Sequence, residues 1–376
     1  MNNIYIYFGP KKGFDTFLSE RKVDFNAITS FSLLVKRSDE RSKEIRVVKE
    51  HGEEELEKTL IEVAELVVYS DEYASVKEHV ILNFDGFLSF FSIENLYLQN
   101  PPELLYNKIK QTYPDAEIAY YNYPLLSEEL IVKINSDYNE MIIGQNQALN
   151  QLLISLVPLT RSTNKKPVVL LFWGPSGVGK TETAKFLADC LGGELFRKQM
   201  SMYQNNDFAT YLFGGQYFEK SFAKELLDRE TNVILLDEFD KANSVFHSAF
   251  YQLFDEGVYQ DKNYNVKVGS SIIICTSNYT SLDHIQEHLG EPIFLRFDAC
   301  IEFVSLGKES VKRIIDLHID QELETLDDTD KAICLKNEIE LLFEDKTHRF
   351  ENARRIRSLV KEVINSKILN RILDQK

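Results

Sequence analysis

Residues 168–181 read VVLLFWGPSGVGKT. Six apolar residues, rich in β-branched and aromatic types, have the length and composition of a buried strand. They run directly into Gly174, Pro175, Ser176, Gly177, Val178, Gly179, Lys180 and Thr181, which fit G-x-x-x-x-G-K-[ST]. TETAKFLADCL follows with helical spacing, so the loop joins a strand to a helix, as its chemistry requires. Glycines in such a loop let backbone N–H groups wrap a phosphate, and the helix N-terminus adds positive potential. Lys180 is expected to reach the β- and γ-phosphate oxygens, and Thr181 to offer its hydroxyl to Mg²⁺.

Outward from that loop, NVILLDEFDK places Asp237 and Glu238 at the carboxyl tip of a second buried strand. There Asp237 is expected to hold Mg²⁺, and Glu238 to take the proton of a water attacking the γ-phosphate. SSIIICTSN ends on Asn278, an amide able to orient the same water. Apolar strands alternate with amphipathic helices from Met141 onward, which predicts a parallel sheet covered on both faces. SVKRIIDLHIDQEL and ENARRIRSLVKEVINSKILNRIL predict a small helical lid.

The first 125 residues read as a separate small α/β unit. NIYIYF, SFSLLVKRS, EIRVVK, HVILNF and AEIAYYNY are strand-like, whereas EEELEKTLIEVAELV and PELLYNKIKQTY are helical in pattern. The expected domains are 1–125, an accessory α/β unit, 126–305, the large nucleotide subdomain, and 306–376, the lid. No internal repeat is evident in the residue pattern.

The chain has 376 residues and a net charge of −16, a sign that repels polyphosphate backbones and argues against nucleic acid as partner. Residues 346–376 depart from it, with nine Lys/Arg against three acids. No apolar run is long enough to span a bilayer. The N-terminus lacks the plan of a signal peptide, and the four cysteines are isolated, so a reducing cytoplasm is expected. HIQEH, His284 to His288, matches an inverted zinc-protease pattern, but no third ligand is evident.

From about Met141 to the C-terminus these pieces resemble, in order, the AAA+ ATPase domain of Clp-type unfoldases and disaggregases, especially their second ATPase ring. IIGQNQAL, GPSGVGKTETAK, MSMY, DEFDKA, YQLFDEG and IICTSN each resemble that family's blocks. The resemblance implies a P-loop NTPase fold binding ATP with Mg²⁺, and Ile142 and Ile143 flanking adenine. PIFLRFD resembles the stretch bearing the arginine finger, so Arg296, otherwise a lone cation among apolar neighbours, would serve the nucleotide of an adjoining subunit. FENARRIR resembles the sensor-2 helix, with Arg354 in the arginine position and Arg355 and Arg357 as alternatives. A ring homo-oligomer, a hexamer by resemblance, is implied.

Two departures bear on function. YLFGGQYFEKSFAKEL is shorter than the family's pore loop and lacks its Gly-aromatic-Val-Gly motif, leaving Tyr217 and Phe218 as candidate pore aromatics. No Ile-Gly-Phe-like tripeptide that docks a peptidase is found. The expected function is therefore an ATP-hydrolysing ring that remodels a protein partner recruited by the N-terminal domain. The alternative is an ATP-dependent assembling switch or scaffold, with that domain as its effector.

Overall fold

In the computed structural model the described residues are 3–38, 40, 60–76, 78–161, 163, 165–202, 207–216, 219–344 and 352–374. In chain order the strands are β1 (Asn3–Phe8), β2 (Ile28–Ser30), β3 (Ile61–Val68), β4 (Phe91–Gln99), β5 (Glu117–Tyr120), β6 (Val168–Trp173), β7 (Phe196–Gln199), β8 (Val233–Asp237), β9 (Val258–Gln260), β10 (Asn265–Lys267), β11 (Ile272–Thr276) and β12 (Ala299–Glu302). The helices used below are α1 (Lys11–Glu20), α2 (Glu103–Thr112), α3 (Glu128–Met141), α4 (Asn146–Leu156), α5 (Lys180–Cys190), α6 (Asp207–Phe213), α7 (Phe222–Leu227), α8 (Leu282–Leu289), α9 (Lys308–Glu324), α10 (Lys336–Glu344) and α11 (Ala353–Asp374).

The chain divides into two compact units. The nucleotide unit comprises Pro124–Gln204, Thr231–Gly257 and Gly269–Lys376. Its sheet runs β12-β6-β11-β8-β7, every pair parallel. All residues of β6, β8 and β11 are buried, as continuous apolar strands covered on both faces must be. One face of its core combines Leu170, Phe172, Leu235 and Ile274 with Leu149 and Leu152 of α4 and Ala184 and Leu187 of α5. α9, α10 and α11 close over a separate apolar cluster that includes Ile314, Ile319, Ile339, Ile356 and Val360. The expected α/β P-loop fold with a helical lid is thus the observed one.

The N-terminal unit comprises Met1–Tyr123 together with Asn205–Glu230 and Val258–Val268. Its sheet runs β2-β3-β4-β1-β5, again wholly parallel. α6 and α7 belong to this unit, and Phe208, Leu212, Phe222, Ala223 and Leu226 on them are buried. So does the β9-β10 hairpin, where Asn263 O accepts from Glu103 N at the start of α2, 2.8 Å away. Tyr217 and Phe218 lie outside the described residues.

Three local readings of this unit differ from expectation. Residues 61–68, read as part of a helix, are β3, because pairing on both edges and burial of Val63, Leu66, Val67 and Val68 override a charged, helix-compatible sequence. SFSLLVKRS, read as a strand, is helical over 31–38, with Phe31 and Leu34 buried at helical spacing. HVILNF, also read as a strand, enters a helix at Glu78–Leu82 and continues at Phe84–Leu88, burying Val80, Ile81, Phe84 and Phe87. EIRVVK lies outside the described residues.

Asn100 is the polar clasp of this unit. It is fully buried with φ +45°, its Oδ1 accepts from Gly9 N at 2.9 Å, and its Nδ2 donates to Gly9 O at 2.9 Å. Removing both bonds strands the Gly9 N–H, a buried donor worth about 1–3 kcal/mol, whereas Gly9 O keeps its second bond, from Gln99 Nε2 at 3.0 Å. Asn100→Ala is therefore expected to destabilise the N-terminal unit by about 1–3 kcal/mol, read as a lower urea midpoint.

Candidate nucleotide site

Where β6 ends, the backbone must turn against β12. Gly174 has φ +126°, and a Cβ there would lie 2.1 Å from Phe303 O, so no other residue fits. Gly174 N donates to Tyr279 O at 3.1 Å. The loop then passes Gly177 (φ +78°) and Gly179 (φ +113°) before α5 begins at Lys180. A Cβ on Gly177 would meet Asn352 Oδ1 at 2.1 Å. Asn352, just before α11, donates from Nδ2 to Ser176 O at 2.9 Å, and Ala353 N donates to Gly177 O at 3.0 Å. The lid helix is thereby clipped to the phosphate loop at its N-terminus.

Behind the loop, the buried Gln145 side chain donates to Val178 O (3.2 Å) and Val304 O (2.8 Å) and accepts from Val304 N (3.1 Å). Thr183 Oγ1 donates to Gly179 O at 3.0 Å and lies 3.1 Å from the hydroxyl of buried Tyr138. These bonds brace the loop from behind. Lys180 is 6% exposed, and its Nζ donates to Gly174 O (2.6 Å) and Pro175 O (2.7 Å). Burial pushes its pKa down to about 8, against the pull of Asp237, Asp240 and Glu238.

The carboxylates stand across from this lysine. Asp237 Oδ1 accepts from Thr276 Oγ1 at 2.6 Å, and Oδ2 accepts from Arg197 Nε at 3.0 Å. Glu238 has φ +52°, a left-handed geometry uncommon for its type, fixed by its N–H donating to Thr276 Oγ1 at 2.8 Å. Gln199 Nε2 donates to Glu238 Oε2 at 2.6 Å. One threonine therefore sets both acids, while Arg197 and Gln199 on β7 each hold one.

Two cavities meet here. The first, about 190 Å³, is lined by Ser176, Gly177, Gly179, Lys180, Thr181, Glu182, Arg197, Gln199, Asp237, Glu238, Asn278, Ala353 and Arg354. The second, about 780 Å³, is lined by Ile142, Ile143, Val178, Leu306, Ile314, Leu317 and further residues including Arg357, and shares Gly179, Glu182, Ala353 and Arg354 with the first. A polar end and an apolar end joined at the loop form a cleft for an elongated ligand with phosphates at one end and a flat apolar group at the other. Gly174 and Pro175 shape the loop from beneath; the structure brings the remaining expected residues, Val178 among them, to the cleft, with one exception. Arg296 lines neither cavity. Its Nε donates to Asp255 Oδ2 at 2.9 Å, another guanidinium nitrogen donates to Pro292 O, and its Cζ lies 4.1 Å from the Tyr251 ring centroid.

Arg197, Gln199, Thr276, Gln145 and Asn352 were not singled out from sequence. Only Thr276, the last residue of β11 and two before Asn278, left a usable signal. The others act through contacts between distant segments. His284 and His288 both lie on α8, with the His288 ring 5.5 Å from that of Tyr279.

A wholly parallel sheet, a glycine loop opening a helix beside a buried lysine, and paired acids on the next strand but one define a P-loop ATPase. The AAA domain family (Cdc48 subfamily) matches residues 165–374, and the chain belongs to it, as a Clp-type AAA+ ATPase. Among curated relatives, the ATP-dependent Clp protease ATP-binding subunit ClpL of Staphylococcus aureus (strain USA300) is 30% identical over 273 residues, covering 65% of this chain and 39% of ClpL. ClpL of strain MRSA252 aligns with the same figures. The chain thus spans about two-fifths of the length of these relatives. Among solved structures, a closed-state cryo-EM reconstruction of Hsp104 with ATPyS and FITC casein matches with TM-score 0.55 and 16% identity, over 99% of this chain and 89% of that one. The S. cerevisiae Hsp104–ADP complex matches with TM-score 0.53 and 21% identity, over 66% and 49%. These likenesses concern the fold. Among the described residues no helix is long and apolar enough to cross a membrane.

Gly177→Ala puts a methyl into Asn352 and a side chain at φ +78°. It is expected to raise the ATP dissociation constant at least about tenfold, about 1.4 kcal/mol, in a fluorescent-nucleotide titration.

Proposed function

We propose that the chain hydrolyses ATP in sites shared between neighbouring copies and uses the cycle to act on a protein partner. The observation that carries this reading is the position of Arg296: every other expected phosphate-facing side chain gathers at one cleft, whereas this arginine lies away from both cavities. In this reading Lys180 and the loop N–H groups hold the triphosphate, Ile142 and Ile143 flank adenine, and Asn278 orients the attacking water. Glu238, kept in place by Gln199, takes that water's proton.

Thr181 and Asp237 are the residues that would hold Mg²⁺. They fit it: both line the polar cavity, and Asp237 Oδ1 retains a lone pair beyond its bond to Thr276, while Oδ2 is taken up by two bonds from Arg197. The ion would supply positive charge to the phosphate oxygens. Arg354, on the lid helix that touches the loop, would couple the γ-phosphate to the lid. Arg296 of one copy would neutralise charge developing at the next copy's γ-phosphate, and such head-to-tail contacts close into a ring, proposed to be a hexamer. Residues 126–305 and 306–376 serve as large and lid subdomains, 1–125 recruits the partner, and the compartment is the cytoplasm.

Whether the partner is remodelled or merely engaged divides two readings. The packing of α6 and α7 into the N-terminal unit favours a switch or scaffold, since it commits the stretch flanking Tyr217 and Phe218 to folding rather than to gripping a chain.

The shared-site reading is tested by mixing variants. Glu238→Gln and Arg296→Ala should each lower kcat at least about 100-fold, about 2.7 kcal/mol, with nucleotide binding retained. Mixed in equal amounts they should regain a substantial fraction of activity, because a Glu238→Gln copy can lend Arg296 to a site with intact Glu238. If the mixture stays as inactive as its components, the sites are not shared.

A further inference from the structure

We infer that the N-terminal unit is a second copy of the ATPase core that has lost its phosphate loop and uses the same sheet edge to hold α7 of the chain's own ATPase segment. The first observation is topological. Numbering each sheet's strands by their order along the chain, both units read 2-3-4-1-5, parallel throughout. Other doubly wound sheets run in different orders, so parallel pairing alone does not impose this one.

The registers agree to the residue. Asn100 N donates to Tyr7 O at 2.8 Å and Ser277 N to Phe172 O at 2.9 Å; Tyr121 N donates to Phe8 O and Phe303 N to Trp173 O, both at 2.8 Å. Phe8 thus falls on Trp173 and Gly9 on Gly174. Both glycines have positive φ, +151° and +126°. A Cβ on either would strike the first residue after the fifth strand: Tyr121 Cβ at 2.4 Å, Phe303 O at 2.1 Å. Each glycine is followed by proline; α1 starts at the next residue, and α5 four residues later. Phe17 and Leu18 on α1 are 7% and 0% exposed, as are Phe186 and Leu187 on α5.

Between these landmarks the N-terminal unit is four residues shorter: Gly9-Pro10-Lys11 stands where the other unit has Gly174-Pro175, Ser176 to Gly179, then Lys180. The missing residues are those that cradle phosphate. Pairing of Tyr7 with Gln99 and Val68 with Leu98 matches that of Phe172 with Thr276 and Leu236 with Cys275. Tyr69 and Ser70 therefore occupy the positions of Asp237 and Glu238, and Lys12 that of Thr181. Neither the acids nor the metal-binding hydroxyl is present.

What the edge holds instead is protein. Asn100, besides clasping Gly9, donates from Nδ2 to Asp228 Oδ1 at 2.8 Å, and Gln99 Nε2 lies 3.5 Å from the same oxygen. Asp228 caps the end of α7, so a carboxylate from within the ATPase-family stretch is seated at the tip of the strand that corresponds to β11. Next to it, Arg229 is 4% exposed with its guanidinium 4.0 Å from the Tyr123 ring centroid, which fixes the end of the segment.

The test uses the full chain carrying Glu238→Gln and labelled ATP in equilibrium dialysis. One nucleotide per chain is expected, falling to none with Lys180→Ala added and staying at one with Lys11→Ala added. Two per chain, or binding that survives Lys180→Ala and is lost with Lys11→Ala, would overturn the silent-core assignment. Docking is read separately by hydrogen exchange. Asp228→Ala should speed exchange of the Asn100 amide and of residues 222–230 at least about tenfold with stoichiometry unchanged, while Asp228→Asn, which keeps an acceptor oxygen, should stay protected. Unchanged exchange in Asp228→Ala overturns the docking. Asp228→Ser, whose hydroxyl is too short to span the gap, gives the same reading if Asp228→Ala does not fold.

Discussion

The nucleotide site depends on a close approach of two backbones. Gly174 must turn within contact of Phe303 O, and that contact fixes the direction in which the chain leaves β6. A side chain would push β6 from β12 or lift the loop from the sheet. Because the turn is forced, the next residues run outward past the strand tips, Gly179 can start α5 beneath them, and Lys180 is left buried beside Gly174 and Pro175. Gln145 and Thr183 then secure the loop from behind. The loop's shape is therefore supported by the chain's own packing and hydrogen bonds, and a preshaped loop lowers the ordering cost of binding.

Charge follows the same logic. Lys180 sits where burial disfavours its charge, and Asp237, Asp240 and Glu238 offset part of that cost. Asp237 in turn is engaged by Arg197 and Thr276, so the acids are aligned by neighbours on two flanking strands. Since Thr276 bonds both Asp237 Oδ1 and Glu238 N, the residue proposed as metal ligand and the residue proposed as base share one support. A distortion of β11 would move both.

The loop, the acids and Asn278 were legible because each lies within one strand-loop-helix unit, where short-range spacing carries the chemistry. Arg197 and Gln199 were not, because their meaning comes from the pairing of β7 with β8, forty residues away in sequence. In the N-terminal unit, IEVAELVV carries enough acid and alanine to pass for helix until its neighbours on both edges are known. The correspondence between the two sheets was hidden for a similar reason. A four-residue difference breaks the alignment after Gly9-Pro10, and the Asp71-Glu72 pair, which imitates Asp237-Glu238 by eye, lies two residues beyond the matching register. Hydrogen bonds preserve an ancestry that side chains do not.

Arg296 brings these strands together. Within one chain its charge is met by Asp255, by the Pro292 carbonyl and by the face of Tyr251, with 26% of the side chain exposed. None of these partners holds it strongly: a half-exposed ion pair is worth roughly 0–1 kcal/mol, and an exposed cation–π contact about 0.5–1. A neighbouring γ-phosphate would offer charge-assisted hydrogen bonds of about 1.5–3 kcal/mol each. The local partners thus keep the arginine soluble and oriented while leaving it free to exchange. In the proposed shared site the pairing with Asp255 would be a resting position, and the energy difference between the two sets of contacts is what would tie assembly to the presence of the third phosphate.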